Sequence, residues 1–166
     1  MAEIRGKTEE LLQGISYVIE WDGNTIGFVE CTGLSETQDV AEYREGTDPS
    51  LYMRKVPGLI KPENIVLKRG ITQNNACLIW RDEMKSIGPN APLKFRRDVA
   101  IHIADHQLKT RRSFIAKNAW PVKWTLSDLN AESSDIIMEE MELTHEGLFP
   151  TKAGASTPLI SGAVPA

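Results

Sequence analysis

Apolar residues along this chain keep two different periods. Most runs alternate, as strands buried on one face do, and one run repeats at helical spacing. "YVIEWDGNTIGFVE", from Tyr17, holds two apolar runs around Asp22, Gly23 and Asn24, and predicts a hairpin because these residues tolerate the positive φ angles of a tight turn. "NIVLKRG", from Asn64, predicts a strand with Ile65 and Leu67 on one face. "LKFRRDVAIHIAD" places Phe95, Val99, Ile101 and Ile103 opposite Arg96, Asp98 and His102. "RRSFIAKNAWPVKWTL" keeps Phe114, Ala116, Trp120, Val122, Trp124 and Leu126 in phase against Lys117 and Lys123. Pro121 cannot donate to a ladder, so a bend, bulge or edge belongs there. In "DIIMEEMELTHEG" the phase of Ile136 and Met138 differs from that of Met141 and Leu143, which predicts a bulge or a change of packing partner near Glu139 and Glu140.

The helix is "TQNNACLIWRDEMKSIGP", with Thr72 as N-cap, Gly88 as stop and Pro89 preventing continuation. Its stripe of Cys77, Trp80, Met84 and Ile87 faces inward, and Arg81, Asp82, Glu83 and Lys85 lie mostly on the wet side. The pattern as a whole is mainly antiparallel β with one helix packed on it.

Two stretches do not fit the core of a single molecule. "SETQDVAEYRE", from Ser35, alternates but is polar on both faces. The connection from Tyr43 to Gly70 is far longer than the roughly 4–6 residues that usually join neighbouring elements. It carries Leu51, Tyr52, Met53, Val56, Leu59 and Ile60 among Arg44, Arg54 and Lys55, a mixture typical of a segment that packs on something rather than of disorder.

Composition narrows the function. The chain has 166 residues, 41% hydrophobic and 25% charged, enough for one core, and no apolar run approaches the ~20 residues of a membrane helix. A single domain over 1–150 and a Gly/Ala/Ser/Pro-rich tail over 151–166 are expected. The acidic N-terminal stretch "MAEIRGKTEELLQG" lacks the features of an export signal, so synthesis in the cytoplasm and free thiols at Cys31 and Cys77 are expected. A net charge of −4 argues against nucleic-acid binding through phosphates, and nothing suggests a sequence-specific reader.

Chemistry is hard to find. There is no phosphate loop, nucleophile elbow or cysteine cluster. His102 alternates outward on a strand, where its spacing to His106 does not build a metal site; His145 stands apart. Adjacent acids such as Glu139/Glu140 and Asp82/Glu83 point apart. Trp80, Trp120 and Trp124 fall in phase with apolar neighbours and read as core; Trp21 is less clear. No catalytic residue, metal or cofactor is expected.

A strand polar on both faces, an apolar connection and no catalytic set fit a chain whose surfaces are made for copies of itself. Edge strands template pairing with another chain, and rings that close their edges and stack give a tube lined by polar strand faces. From about Gly27 to Gly147 the sequence resembles the tail tube family of contractile phage tails and related contractile injection systems. The resemblance rests, in order, on "GFVECTGLSE", "EYREGTDPS", "RKVPGLIKPENIVLKRGIT", "RRSFIAKNAWPVKWTLSDLNA" and "MEEMELTHEGL".

That resemblance implies a β-sandwich or barrel protomer with one flanking helix and a long extended inter-subunit loop. It further implies hexameric rings stacked into a tube inside a contractile sheath, with baseplate or tube-initiator and terminator proteins as partners and DNA or protein cargo in the lumen. The site would be a virion or injection particle, without membrane insertion. Arg44, Glu45, Asp48, Leu51, Tyr52, Arg54, Lys55 and Leu59 would contact a neighbouring subunit. Alternation offers Glu36, Glu42, Glu140 and Glu142, with Lys117 and Lys123, as lumen-facing candidates. A tube-to-baseplate adaptor ring and the hexameric tube of a membrane-anchored secretion system are the alternatives.

Overall fold

In the computed structural model, which describes residues 16–47, 49, 51–87, 94–104, 109–129 and 135–151, the Asp-Gly signal makes the expected turn. Strands β1 (Ser16–Trp21) and β2 (Asn24–Ile26) pair antiparallel. Asp22 (φ 48°) and Gly23 (φ 73°) both take the positive φ that a type I′ turn requires.

The remaining elements are β3 (Glu30–Thr32), β4 (Glu36–Tyr43), β5 (Arg54–Pro62), β6 (Ile65–Gly70), α1 (Ala76–Lys85), β7 (Arg97–Ala104), β8 (Thr110–Leu126), β9 (Met138–Thr144) and β10 (Leu148–Thr151). Eight strands form one antiparallel sheet in the order β2-β1-β7-β8-β9-β6-β3, with β10 on β8 beyond β9. The two ends of that order, β2 and β3, are joined by residues 27–29 alone. A linker that short reaches only ~10 Å, so the sheet must curl until its ends approach. Ile19, Trp21, Ile65, Leu67, Val99, Ile101, Met141 and Leu143 fill the inside of the curl, and Cys77 and Trp80 of α1 close it. Trp21 packs against Trp80 with ring centroids 5.2 Å apart and planes tilted by 38°, and belongs to this core.

β8, the longest strand at 17 residues, bends twice. Lys117 and Asn118 together oppose Asp98 of β7, a bulge in which Asn118 takes φ 51°. Asp98 closes it by accepting from the Lys117 ammonium and, at 3.1 Å, from the Asn118 N–H. The Lys117 hydrogen bond first, and the Asn118 N–H second, hold the Asp98 carboxyl below its usual range. The stability this adds is present above the ordinary carboxylate pKa and lost as pH falls through the lowered one. On the other edge of β8 the chain bends in step between β9 and β10. Glu146 N–H donates to Lys117 O (2.9 Å) and Lys117 N–H to Gly147 O (3.0 Å).

Four sequence expectations change. The excursion after Tyr43 is not a loop throughout: its second part is β5, which pairs with β4 as a separate two-stranded sheet. The last bulge lies on β8, between Pro121 and Lys123, and not at Glu139/Glu140; β9 pairs with β6 in unbroken register. The phase is settled by Glu139, which turns inward with Met141 and Leu143 while Ile136 stays exposed. Because of the two bulges, β8 buries Ala116, Ala119 and Pro121 rather than one alternating set from Phe114 to Leu126. Thr72 does not cap α1. The helix starts at Ala76, whose N–H donates to Asn74 Oδ1 (3.0 Å), and Thr72 Oγ1 accepts from Asn74 N–H instead (3.2 Å). Gly88, Pro89, His106, residues 1–13 and most of the tail lie outside the described residues.

Glu139 is tolerated inside because it is fully engaged. It pairs with the Arg69 Nε–H, and its other oxygen accepts from Trp124 Nε1 (3.1 Å). Arg69 also donates to Asn74 O (2.7 Å), beside the helix start, and lies over the Phe28 ring. One ion pair thereby ties β6, β8, β9 and the approach to α1. Burial of the Cys31 and Cys77 thiols pushes both up to about 11, and both are free. Breaking a buried pair by removing one partner costs roughly 3–5 kcal/mol. Arg69→Met should therefore lower the unfolding free energy in urea by about that much. Arg69→Met/Glu139→Gln, which removes the stranded charge and keeps an acceptor for Trp124, should recover most of the loss.

Candidate assembly interface

β4 and β5 form a ribbon that stands outside the curled body. Every residue of β4 and nearly every residue of β5 is exposed, including Val40, Tyr43, Val56, Leu59 and Ile60. The register places Val40, Glu42, Pro57, Ile60 and Pro62 toward one face and Ala41, Tyr43 and Val56 toward the other. Both faces therefore mix apolar with polar side chains. The ion pairs Lys61–Asp39 (2.6 Å) and Lys55–Glu42 (3.9 Å) are both exposed, so they give the ribbon little stability of their own. A bulge between Gln38 and Val40 is made possible by Gly58, where a Cβ would meet Asp39 O at 2.9 Å.

The ribbon's root is fixed while its blades are bare. Glu63 N–H donates to Ser35 O (3.0 Å), and Glu63 O accepts from His145 Nε2 (3.0 Å). His145 Nδ1 accepts from Gly147 N–H (3.2 Å), which leaves the proton on Nε2 and assigns this buried histidine a structural role. Asn64 Nδ2 donates to Glu142 Oε1 (2.7 Å), and Leu148 N–H donates to Glu36 Oε1 (2.7 Å). At Gly33 (φ 82°) a Cβ would sit 1.9 Å from Asn64 O, so the chain enters the ribbon through a contact only glycine permits.

Of the residues singled out in the sequence, Arg44 and Glu45 follow β4, Leu51 and Tyr52 precede β5, and Arg54, Lys55 and Leu59 lie on β5. All seven are exposed, Leu51 at 91% and Leu59 at 76%. Asp48 lies outside the described residues. Sequence reasoning missed Val40 and Tyr43 as exposed apolar members of the same surface. The signal was present, since β4 alternates, but its partner strand was masked by Pro57, Gly58 and Pro62, which normally argue against a strand.

The lumen candidates fall in three places. Lys123, Glu140 and Glu142 share the outer face of the β8-β9-β6-β3 sheet, where Lys123 is opposite Glu142, and Lys68 reaches Glu140 (3.6 Å) and Glu30 (3.4 Å). Glu36 and Glu42 sit instead on the ribbon, and Lys117 at the β8 bulge.

The fold is thus a curled antiparallel body carrying an exposed, firmly rooted β-ribbon. The family model described as T4-like virus tail tube protein gp19 matches residues 13–149, and the chain belongs to this family of structural tail tube proteins. Several solved structures share the fold. One is in the sheath–tube complex of the extracellular contractile injection system PVC in its extended state (TM-score 0.73, 23% identity, 87% of this chain and 93% of that one). Another is in the tube-terminating cap of the anti-feeding prophage (0.72, 22%, 86% and 92%). More distant is Hcp1 from Flavobacterium johnsoniae (0.52, 12%, 81% and 94%). A search of curated protein sequences finds no match.

Gly33→Ala adds a Cβ at a positive φ and against a backbone oxygen. It should cost about 2 kcal/mol or more in urea unfolding. Gly27→Ala, with nothing within 4 Å, should change stability by no more than ~0.5 kcal/mol.

Proposed function

We propose that this chain is the inner tube subunit of a contractile tail or injection machine. Six copies close into a ring, rings stack into a hollow tube within a contractile sheath, and DNA or protein cargo passes through the bore. Baseplate or tube-initiator proteins and a terminator meet the two ends of the tube. The chain is synthesised in the cytoplasm and built into the particle. Its role is mechanical, with no catalysis of its own.

The observation that carries this reading is the β4–β5 ribbon, whose faces both hold exposed apolar side chains. An isolated two-stranded ribbon is at best marginally stable in water. Exposed apolar surface on this scale marks an interaction site. Arg44, Glu45, Asp48, Leu51, Tyr52, Arg54, Lys55 and Leu59 are assigned to contacts with a neighbouring subunit. Lys123, Glu140 and Glu142 are assigned to the bore, on a sheet face whose signs are interleaved with Lys68 and Glu30. Such a lining presents no large field of one sign to hold charged cargo.

A second reading, a terminator or adaptor ring, is favoured by the fold's equal likeness to a terminating cap. Electron microscopy of the purified protein separates the two: long uniform tubes are expected, lone rings would point to the adaptor, and a monomer at high concentration would end both readings. In assembled tubes a bulky thiol reagent applied from outside should leave Glu140→Cys unmodified along the tube wall, and complete reaction would remove Glu140 from the bore.

A further inference from the structure

The β1–β2 turn holds a chemically reactive pair of residues. In an Asp-Gly sequence the glycine nitrogen has no side chain beside it, so it can approach the aspartate carboxyl closely enough to close a five-membered imide. Asp22 and Gly23 are the two central residues of this turn, and a Cβ added at Gly23 would meet nothing within 4 Å. Nothing crowds the nitrogen that would attack. The Asp22 side chain is 58% exposed, and its printed restraint is a single ion pair: Arg97 Nε lies 2.9 Å from Asp22 Oδ2 and draws the carboxylate toward the start of β7. Arg97 is itself fixed from two further sides. Its Nη2 donates to both carboxylate oxygens of Glu83 on α1 (2.9 and 2.7 Å), and its guanidinium lies 5.1 Å from the centroid of the Trp80 ring. Only 15% of the Arg97 side chain is exposed, so the cation that holds Asp22 has little freedom to leave.

We propose that Asp22 is a site of spontaneous conversion to isoaspartate and that Arg97 is the residue that restrains it. In this reaction the Gly23 nitrogen attacks Asp22 Cγ. The N–Cγ bond forms, and one carboxyl oxygen leaves as water, taking the amide proton and one proton from solvent. Water then opens the cyclic imide at either carbonyl, giving back aspartate or giving isoaspartate. Isoaspartate routes the chain through the Asp22 side-chain methylene, so the backbone of the turn gains one carbon. A type I′ turn closed by the pairs Trp21↔Asn24, Glu20↔Thr25 and Ile19↔Ile26 cannot take an extra atom and keep its geometry. β2 leads through residues 27–29 to β3, and Ile26 and Phe28 on that path are buried. The modification therefore strikes the link that closes the curl, and Arg97 guards the body rather than the ribbon. The inference is independent of the tube reading, since the chemistry lies within one chain.

The full chain, incubated warm at neutral pH, tests this. Isoaspartate is counted by labelling with protein isoaspartyl methyltransferase and located by electron-transfer fragmentation of the peptide that holds Asp22. Wild type should accumulate it slowly, and Arg97→Gln about fivefold faster, the factor that loss of a partly exposed ion pair supplies. Asp22→Glu, which would have to close a six-membered ring, should give none at this position. Because Arg97→Gln also frees Glu83 and Trp80, both proteins are aged in parallel in about 1 M sodium chloride, where the screening length falls to ~3 Å. Salt should speed wild type toward the rate of the variant and leave the variant unchanged, which general loosening of the fold would not produce. If Arg97→Gln does not fold, the salt response of wild type decides alone. Conversion of Arg97→Gln at the wild-type rate, or a wild type indifferent to salt, would overturn the restraint. No isoaspartate at Asp22 in any sample would overturn the site, and the tube reading would stand in either case.

Discussion

Two strands cannot satisfy themselves. Among the described residues β4 and β5 pair only with each other, both faces of the ribbon are exposed, and backbone and side-chain hydrogen bonds tie its root to the body. An isolated ribbon is marginal in water because the hydrogen bonds it gains barely offset the order they impose, and neither face removes apolar area from solvent. This single constraint makes the surface around it intelligible. Mixed polarity on both faces, glycine at the bulge and glycine at the entrance all belong to an element that is held at one end and exposed along its length.

The body, by contrast, is over-determined. The curl is imposed by the short link between β2 and β3, filled by Trp21, Trp80 and the branched aliphatic residues, and cross-tied by Arg69 and Glu139. A buried ion pair is weak evidence for stability in itself, since desolvation opposes the attraction. Here its worth lies in position: it fixes β6 against β9, the Trp124 indole and the turn that leads into α1. A rigid body lets the ribbon keep a defined direction. The Asp98–Lys117–Asn118 bulge adds to this by bending β8 together with the β9–β10 run, so that Leu148 arrives where its N–H meets Glu36 at the ribbon's base.

After Tyr43 the sequence sets apolar residues where a loop would be polar, and the structure leaves them exposed on and beside the ribbon. Leu51, Leu59 and Ile60 could be recognised as misplaced for a monomer without any coordinates. Their strand partners could not, since prolines in β5 concealed the pairing that β4 requires.

The sequence by itself determined the hairpin at Asp22-Gly23, the inward stripe of α1, the alternation of β6 and β7, and the anomaly after Tyr43. These are local, set by turn chemistry and by periods of two and 3.6 that survive in any context. Whereas the bulge beside Pro121 was legible in the sequence, only the tertiary structure decided the phase of β9, the β8 bulge at Lys117 and Asn118, and the sharing of one face by Lys123, Glu140 and Glu142. Each of those depends on which strands lie side by side. A carboxylate such as Glu139 reads as solvent-facing until Arg69, 70 residues away in sequence, is brought against it. Register and burial are relations between distant segments, and a one-dimensional pattern records only one side of each.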